Sequence, residues 1–151
     1  LRRQARERVF QTLFLMDARG IGPDEAIPLV ALACPPPKDE AYYAATVRGV
    51  HERREEIDAM IRRAAQNWRL ERMTLVDRNL LRMGTYEICY AEEVPYAVAI
   101  NEAVDLAKRY GSAESGAFVN GILDRISEMA RRKGEGAPRG SRRGPQGEEA
   151  G

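Results

Sequence analysis

The sequence predicts an all-α fold of about seven helices in two small helical bundles, and three features predict it. Apolar residues recur at intervals of three and four along most of the chain, no segment shows the alternation of a strand, and glycine and proline interrupt the periodic stretches. With 151 residues, the chain has the usual size of one domain. The expected division is a helical domain over residues 1–131, with sub-bundles of about 1–65 and 70–131, followed by a charged Gly/Pro-rich tail over 132–151.

In residues 2–19, Ala5, Val9, Leu13 and Met16 form an amphipathic stripe that Phe10 and Phe14 widen, with arginines gathered at the N-terminal end. Gly20 and Gly22 end this helix. Pro23, followed by Asp24 and Glu25, opens a second, because proline suits the first helical position and acids suit the positive end of the dipole. It runs to about Cys34, where Pro35-Pro36-Pro37 removes the backbone donors. Asp39 caps the next segment, in which Tyr43, Val47, Val50, Ile57 and Ile61 follow helical spacing to about Asn67-Trp68-Arg69, with a break expected near Gly49.

Thr74 and Asp77 resemble a capping box in front of a helix carrying Val76, Leu80, Leu81, Met83, Gly84 and Ile88, apolar on much of its circumference. Pro95 opens a helix with Ala97, Ile100, Val104 and Ala107 on one stripe, and Gly111 is expected to close it in the left-handed conformation. The last helix carries Phe118, Val119, Ile122, Leu123, Ile126 and Met129, with Gly116 and Gly121 expected to permit close backbone approach. From Arg131 onward the periodicity dissolves into a stretch too poor in apolar residues to offset its ordering entropy, expected to be disordered and a natural chain end.

Formal net charge is only +1, so any electrostatic role rests on distribution. That distribution is uneven: residues 1–19 hold five arginines against Glu7 and Asp17. Arg2, Arg3 and Arg6 fall within little more than one turn at a helix N-terminus, where guanidinium groups and backbone N–H groups can face phosphates or stack on bases; a solvated helix end is the simpler reading of the same residues. No catalytic constellation is visible. His51 is the single histidine and sits in the exposed run HERREEID, whose carboxylates read as a solvated face paired with arginines. Cys34 and Cys89 form no C-x-x-C pair and read as unpaired thiols, so no metal or cofactor is expected. The absence of a signal peptide or a spanning apolar run points to the cytoplasm and to no membrane partner.

Four blocks carry a resemblance. RRQARERVFQTLF (2–14), DRNLLRMGTYEI (77–88), VPYAVAINEAVDLAKRYG (94–111) and AFVNGILDR (117–125) are similar, in this order, to the bacterial transcription antitermination factor NusB family. The resemblance implies an all-helical fold of two bundles and a function without catalysis: binding of the boxA element of ribosomal RNA transcripts jointly with a small-subunit ribosomal protein serving as NusE, within a complex of RNA polymerase and other Nus factors that promotes processive transcription. It also implies an arginine-rich motif on RNA, with Arg2, Arg3 and Arg6 at its arginine positions and Gln4 where many members have another arginine. Phe14 matches an aromatic near the RNA, Phe118 an aromatic at the RNA-binding edge, and Glu71 an acidic position facing RNA. Asp77 matches an acidic position facing the protein partner. Core roles for Phe14 and Phe118 and a capping role for Asp77 compete with these readings. Asn101, Glu102, Asn120 and Gly121 are family signature residues, expected to tie helix ends together and to let helices approach.

Family members occur as monomers and homodimers, so a homodimer covering the first helix is a further expectation. The alternatives are a protein-binding adaptor without RNA contact, with the arginines as a solvated face, and an RNA-recognition module related to the N-terminal domain of ribosomal RNA cytosine methyltransferases. The latter requires a strand-rich nucleotide-binding domain that these residues do not contain.

Overall fold

The structure, a computed structural model, describes residues 2–135. Among them are seven α-helices, one 3-10 turn and no strand. Helix α1 (Arg2–Arg19) buries Ala5, Val9, Leu13 and Met16 as its periodicity requires, together with Phe10, Thr12 and Arg6. Gly20, at φ +67°, ends it: the N–H groups of Gly20 and Ile21 both donate to the Met16 carbonyl, at 2.8 and 3.1 Å. Helix α2 (Pro23–Ala33) starts on its proline and stops before the proline triplet. Helix α3 (Glu40–Glu52) is capped by Asp39, which accepts the Tyr42 N–H at 3.4 Å.

The break expected near Gly49 falls at Arg53, where helix α4 (Arg54–Ala65) begins. Gln66, with φ 44°, ends α4, and the chain passes through a 3-10 turn at Leu70–Arg72. Thr74 caps helix α5 (Leu75–Tyr90) by accepting the Asp77 N–H at 3.1 Å. Helix α6 (Tyr96–Tyr110) follows Pro95, and helix α7 (Ser115–Glu135) completes the described chain. Residues 132–135, expected to belong to the tail, continue α7. Glu128 pairs there with Arg131 and Arg132, and cations in a last turn suit the helix dipole. The rest of the expected tail lies outside the described residues.

Helix α5 is the axis of the molecule, packed against α1, α3, α4, α6 and α7. This explains its apolar circumference, with Leu80, Leu81, Met83 and Ile88 fully buried. The expected partition after residue 65 shifts, because α4 packs chiefly on α5 and α7. Asp58 of α4 accepts two hydrogen bonds from Arg82 of α5, and the Ala64 carbonyl accepts from Arg125 of α7. Helices α1–α3 therefore form one layer and α4–α7 the other, and a single buried apolar cluster runs through both.

Two glycines set the closest approaches. A Cβ on Gly84 would lie 2.6 Å from Leu123 Cδ1 of α7, and one on Gly49 of α3 would collide with the Tyr86 ring of α5. The expected roles of three others change. Gly121 has nothing within 4 Å, and Gly116 meets only the aliphatic chain of Lys108, at 3.1 Å. Gly111 has φ −101° and makes room for Ser115 instead of adopting a left-handed cap.

Candidate nucleic-acid interface

The three arginines singled out at the N-terminus of α1 have different fates. Arg3 is the open one, its side chain 72% exposed, donating to both carboxylate oxygens of Glu102 on α6 at 3.4 and 2.9 Å. Arg2 is partly covered, donating to Asp39 at 3.1 Å, lying 3.7 Å from Glu93 and stacking over the Tyr42 ring at 4.3 Å. Both pairings are of the surface kind, weak and screened by salt, so an incoming phosphate competes with them on nearly equal terms.

Arg6 departs from the expected RNA contact. It is 5% exposed, and its Nε donates to Glu87 of α5 at 2.9 and 3.1 Å, while the Tyr42 hydroxyl also donates to Glu87. The reason is helical phase: Arg6 stands four residues before Phe10 and seven before Leu13, on the inward stripe. Burial disfavours the Arg6 charge, but the facing Glu87 carboxylate outweighs it and holds the guanidinium above its ordinary pKa. Burial, then the Glu87 charge, push the Tyr42 hydroxyl well above the usual tyrosine range. Arg6 is thus a clamp between α1 and α5.

Along the seam between α1 and α6, Glu7 accepts from Arg109 at 2.8 Å and from the Tyr110 hydroxyl, and Gln11 donates to the same hydroxyl at 3.1 Å. Phe10 lies under both aromatic neighbours, 5.1 Å from Tyr110 and 6.1 Å from Phe14, the latter edge-on. Phe14 is half-buried, so one part of the ring supports the core while the other reaches the surface. Eleven residues of helix separate it from Arg3, about 16 Å of rise, the reach of a few nucleotides.

The C-terminal part of α1 leads to the 3-10 turn. Asp17 accepts from Arg78 at 2.8 Å, Asn79 at 2.9 Å and Arg82 at 3.1 Å, and Arg78 also donates to the Leu70 carbonyl at 3.3 Å. Burial raises the Asp17 carboxyl, but the hydrogen bonds from Arg78 and Asn79 prevail and hold it below the usual carboxylate range. Glu71, on the turn, is exposed and accepts from Arg62 at 2.9 Å; its own backbone N–H, then Arg62, lower its pKa. Asp77 is half-buried beside its cap, with Oδ1 enclosed and unpartnered among the described residues, so the carboxylate does not return the second bond of a capping box. Phe118 is half-buried on α7 and meets Trp68 edge to face at 5.4 Å.

The predicted residues thus form two groups: Arg2 and Arg3 at one end of α1, and Glu71, Asp77 and Phe118 around the turn, with Phe14 between them. Residues that the sequence reading missed are Trp68, 60% exposed, and Tyr110, exposed on the seam. Asn101 and Asn120 are exposed and their side chains make no hydrogen bond among the described residues, so they do not tie helix ends as expected. Glu102 does join two helices, through Arg3.

Elsewhere the chemistry is sparse. His51 is exposed, both cysteines are half-buried, and Cys89 Sγ lies 3.4 Å from Met60 Sδ. Asp58, read as part of a solvated face, is instead buried against Arg82. Among the described residues no three metal-ligating side chains cluster, and no helix is long and apolar enough to cross a membrane.

The family model described as the NusB family matches residues 3–128. A Desulfatibacillum aliphaticivorans protein named transcription antitermination protein NusB is 48% identical over 126 residues, covering 83% of this chain and 88% of that protein. The solved structure of T. maritima NusB superposes with a TM-score of 0.76 at 39% identity, covering 85% of this chain and 91% of that one. A structure of antitermination factors NusB and NusE in complex with dsRNA superposes at 0.75, 31% identical, over 85% and 96% of the two chains. From sequence blocks, helix order and packing alike, the chain belongs to the NusB family.

Proposed function

We propose that this chain is a non-enzymatic, RNA-binding transcription antitermination factor that binds boxA RNA of ribosomal RNA transcripts together with the ribosomal protein serving as NusE. The observation that carries the reading is the likeness, over most of the chain, to the NusB found with NusE and dsRNA. In the mechanism that follows, RNA phosphates exchange for the surface carboxylates now held by Arg2 and Arg3, and arginine's planar fork suits that exchange. Phe14 and Phe118 offer ring surface to unpaired bases, Glu71 accepts hydrogen bonds from base amino groups, and Asp77 faces the protein partner. Arg6 supports the site from beneath.

RNA polymerase and other Nus factors complete the assembly in the cytoplasm, and a homodimer closing over α1 is the resting form that RNA must open. The test is a reconstituted transcription reaction on a template carrying boxA ahead of a terminator. Read-through rising only when boxA, this protein and the ribosomal partner are all present supports the reading; read-through indifferent to boxA overturns it.

A further inference from the structure

We propose that Trp68 is a base-stacking platform, on which one unpaired RNA base lies against the exposed indole with Phe118 bracing it. This rests on the RNA-binding reading above and extends it to a residue outside the family blocks. Trp68 is the single tryptophan of the chain, and it is 60% exposed in the turn after α4. An indole left in water presents a flat π-face that a ligand can cover.

Its placement is fixed. The Trp68 backbone N–H donates to the Ala65 carbonyl at 3.1 Å, Gln66 holds the turn at a positive φ, and the ring meets Phe118 edge to face, at 81°. A ring so held loses little side-chain entropy when a base stacks on it. The surroundings select an anion: residues 62–72 contain four arginines and one glutamate, a net charge of +3. Arg63 and Arg72 are exposed and make no ion pair among the described residues; Arg69 is exposed beside Glu71; and Arg125 anchors to the Ala64 carbonyl next to the turn. An aromatic face inside such a charge field has the composition of a single-strand nucleic-acid platform, in which the cations track phosphates and the ring takes any base. The platform is also continuous with the proposed interface, through Phe118 and through the contacts that run from Asp17 and Arg78 to Leu70.

The experiment titrates the full chain with a dye-labelled single-stranded boxA RNA, following dye anisotropy and the emission of the sole tryptophan together, with Trp68→Ala and Trp68→Phe as variants. The expected result is quenching of Trp68 at the midpoint seen by anisotropy, a loss of about 5- to 100-fold in affinity for Trp68→Ala, and retention within about threefold for Trp68→Phe. The slope of log affinity against log salt should be the same in Trp68→Ala as in the parent, because stacking releases no counterion. Circular dichroism melts verify that the variants remain folded. RNA binding with unchanged emission and an unaffected Trp68→Ala overturns the platform and leaves the RNA reading standing. If Trp68→Ala spares RNA and weakens only the ribosomal partner, the patch is a protein-docking surface and the platform is again overturned. No RNA binding by the parent, alone or with the ribosomal partner, overturns the underlying reading as well.

Discussion

Arg6 of α1 and Glu87 of α5 form a buried ion pair, Nε to Oε1 2.9 Å, with the Tyr42 hydroxyl of α3 on the same carboxylate. Three helices of the two layers therefore meet at one charge pair directly beneath Arg2 and Arg3. Removing Arg6 takes the facing cation away from a carboxylate that stays buried, with the Tyr42 hydroxyl still donating to it. We expect Arg6→Ala to destabilise the fold by about 3–5 kcal/mol in urea unfolding, with any loss of RNA binding following from unfolding. A fully stable Arg6→Ala with selectively weakened RNA binding would return Arg6 to the RNA surface.

The neighbouring arginines behave in the opposite way. Arg2→Ala with Arg3→Ala removes exposed, solvent-screened pairs, so the melting curve should barely move. The double variant should weaken RNA binding across sequences and lower the salt slope by about two, one per phosphate contact, as read from affinities at several salt concentrations. An unchanged slope would remove this end of α1 from the interface.

Asp17 gives a pH dependence whose sign is fixed. Its folded pKa is lowered from the ordinary value of 3.8, so its contribution is fully present above that pH and is lost as pH falls through the lower folded value. Asp17→Asn should be less stable than the parent at neutral pH, and the gap should narrow as the pH drops below about 4. Urea midpoints at several pH values check this; a gap that widens toward acid contradicts it.

Two glycines one helix apart should respond with opposite sign. Gly84→Ala places a methyl into the fully buried Leu123 and should cost about 1–3 kcal/mol despite alanine's better helix propensity. Gly121→Ala enters open space within α7 and should stabilise by about 1 kcal/mol. Thermal melts of the two variants separate the outcomes.

The helices were legible in the sequence because their apolar spacing, proline starts and Thr74 cap are local signals. What stayed hidden depends on pairs distant in sequence. Arg6 reads as an RNA contact from the sequence although its phase with Phe10 and Leu13 points inward, because a buried arginine makes sense only once Glu87, 81 residues away, is brought beside it. Asp58 was hidden in the same way until Arg82 reached it. The partition into bundles failed for α4 because an amphipathic stripe says that a face is buried and not against what. Trp68 carried one signal: a large aromatic between Asn67 and Arg69, outside any apolar stripe.

The central claim is specific RNA recognition joined to the ribosomal partner. The most direct measurement is the affinity of the full chain for a short boxA RNA and for a scrambled control, each with and without that partner, at low and physiological salt. The account predicts tighter binding to boxA than to the control, a widening of that difference when the partner is added, and weakening with salt in every case. Partner binding with no discrimination between the RNAs, and no change when Arg2 and Arg3 are removed, would contradict it and leave the basic end of α1 as a solvated helix end.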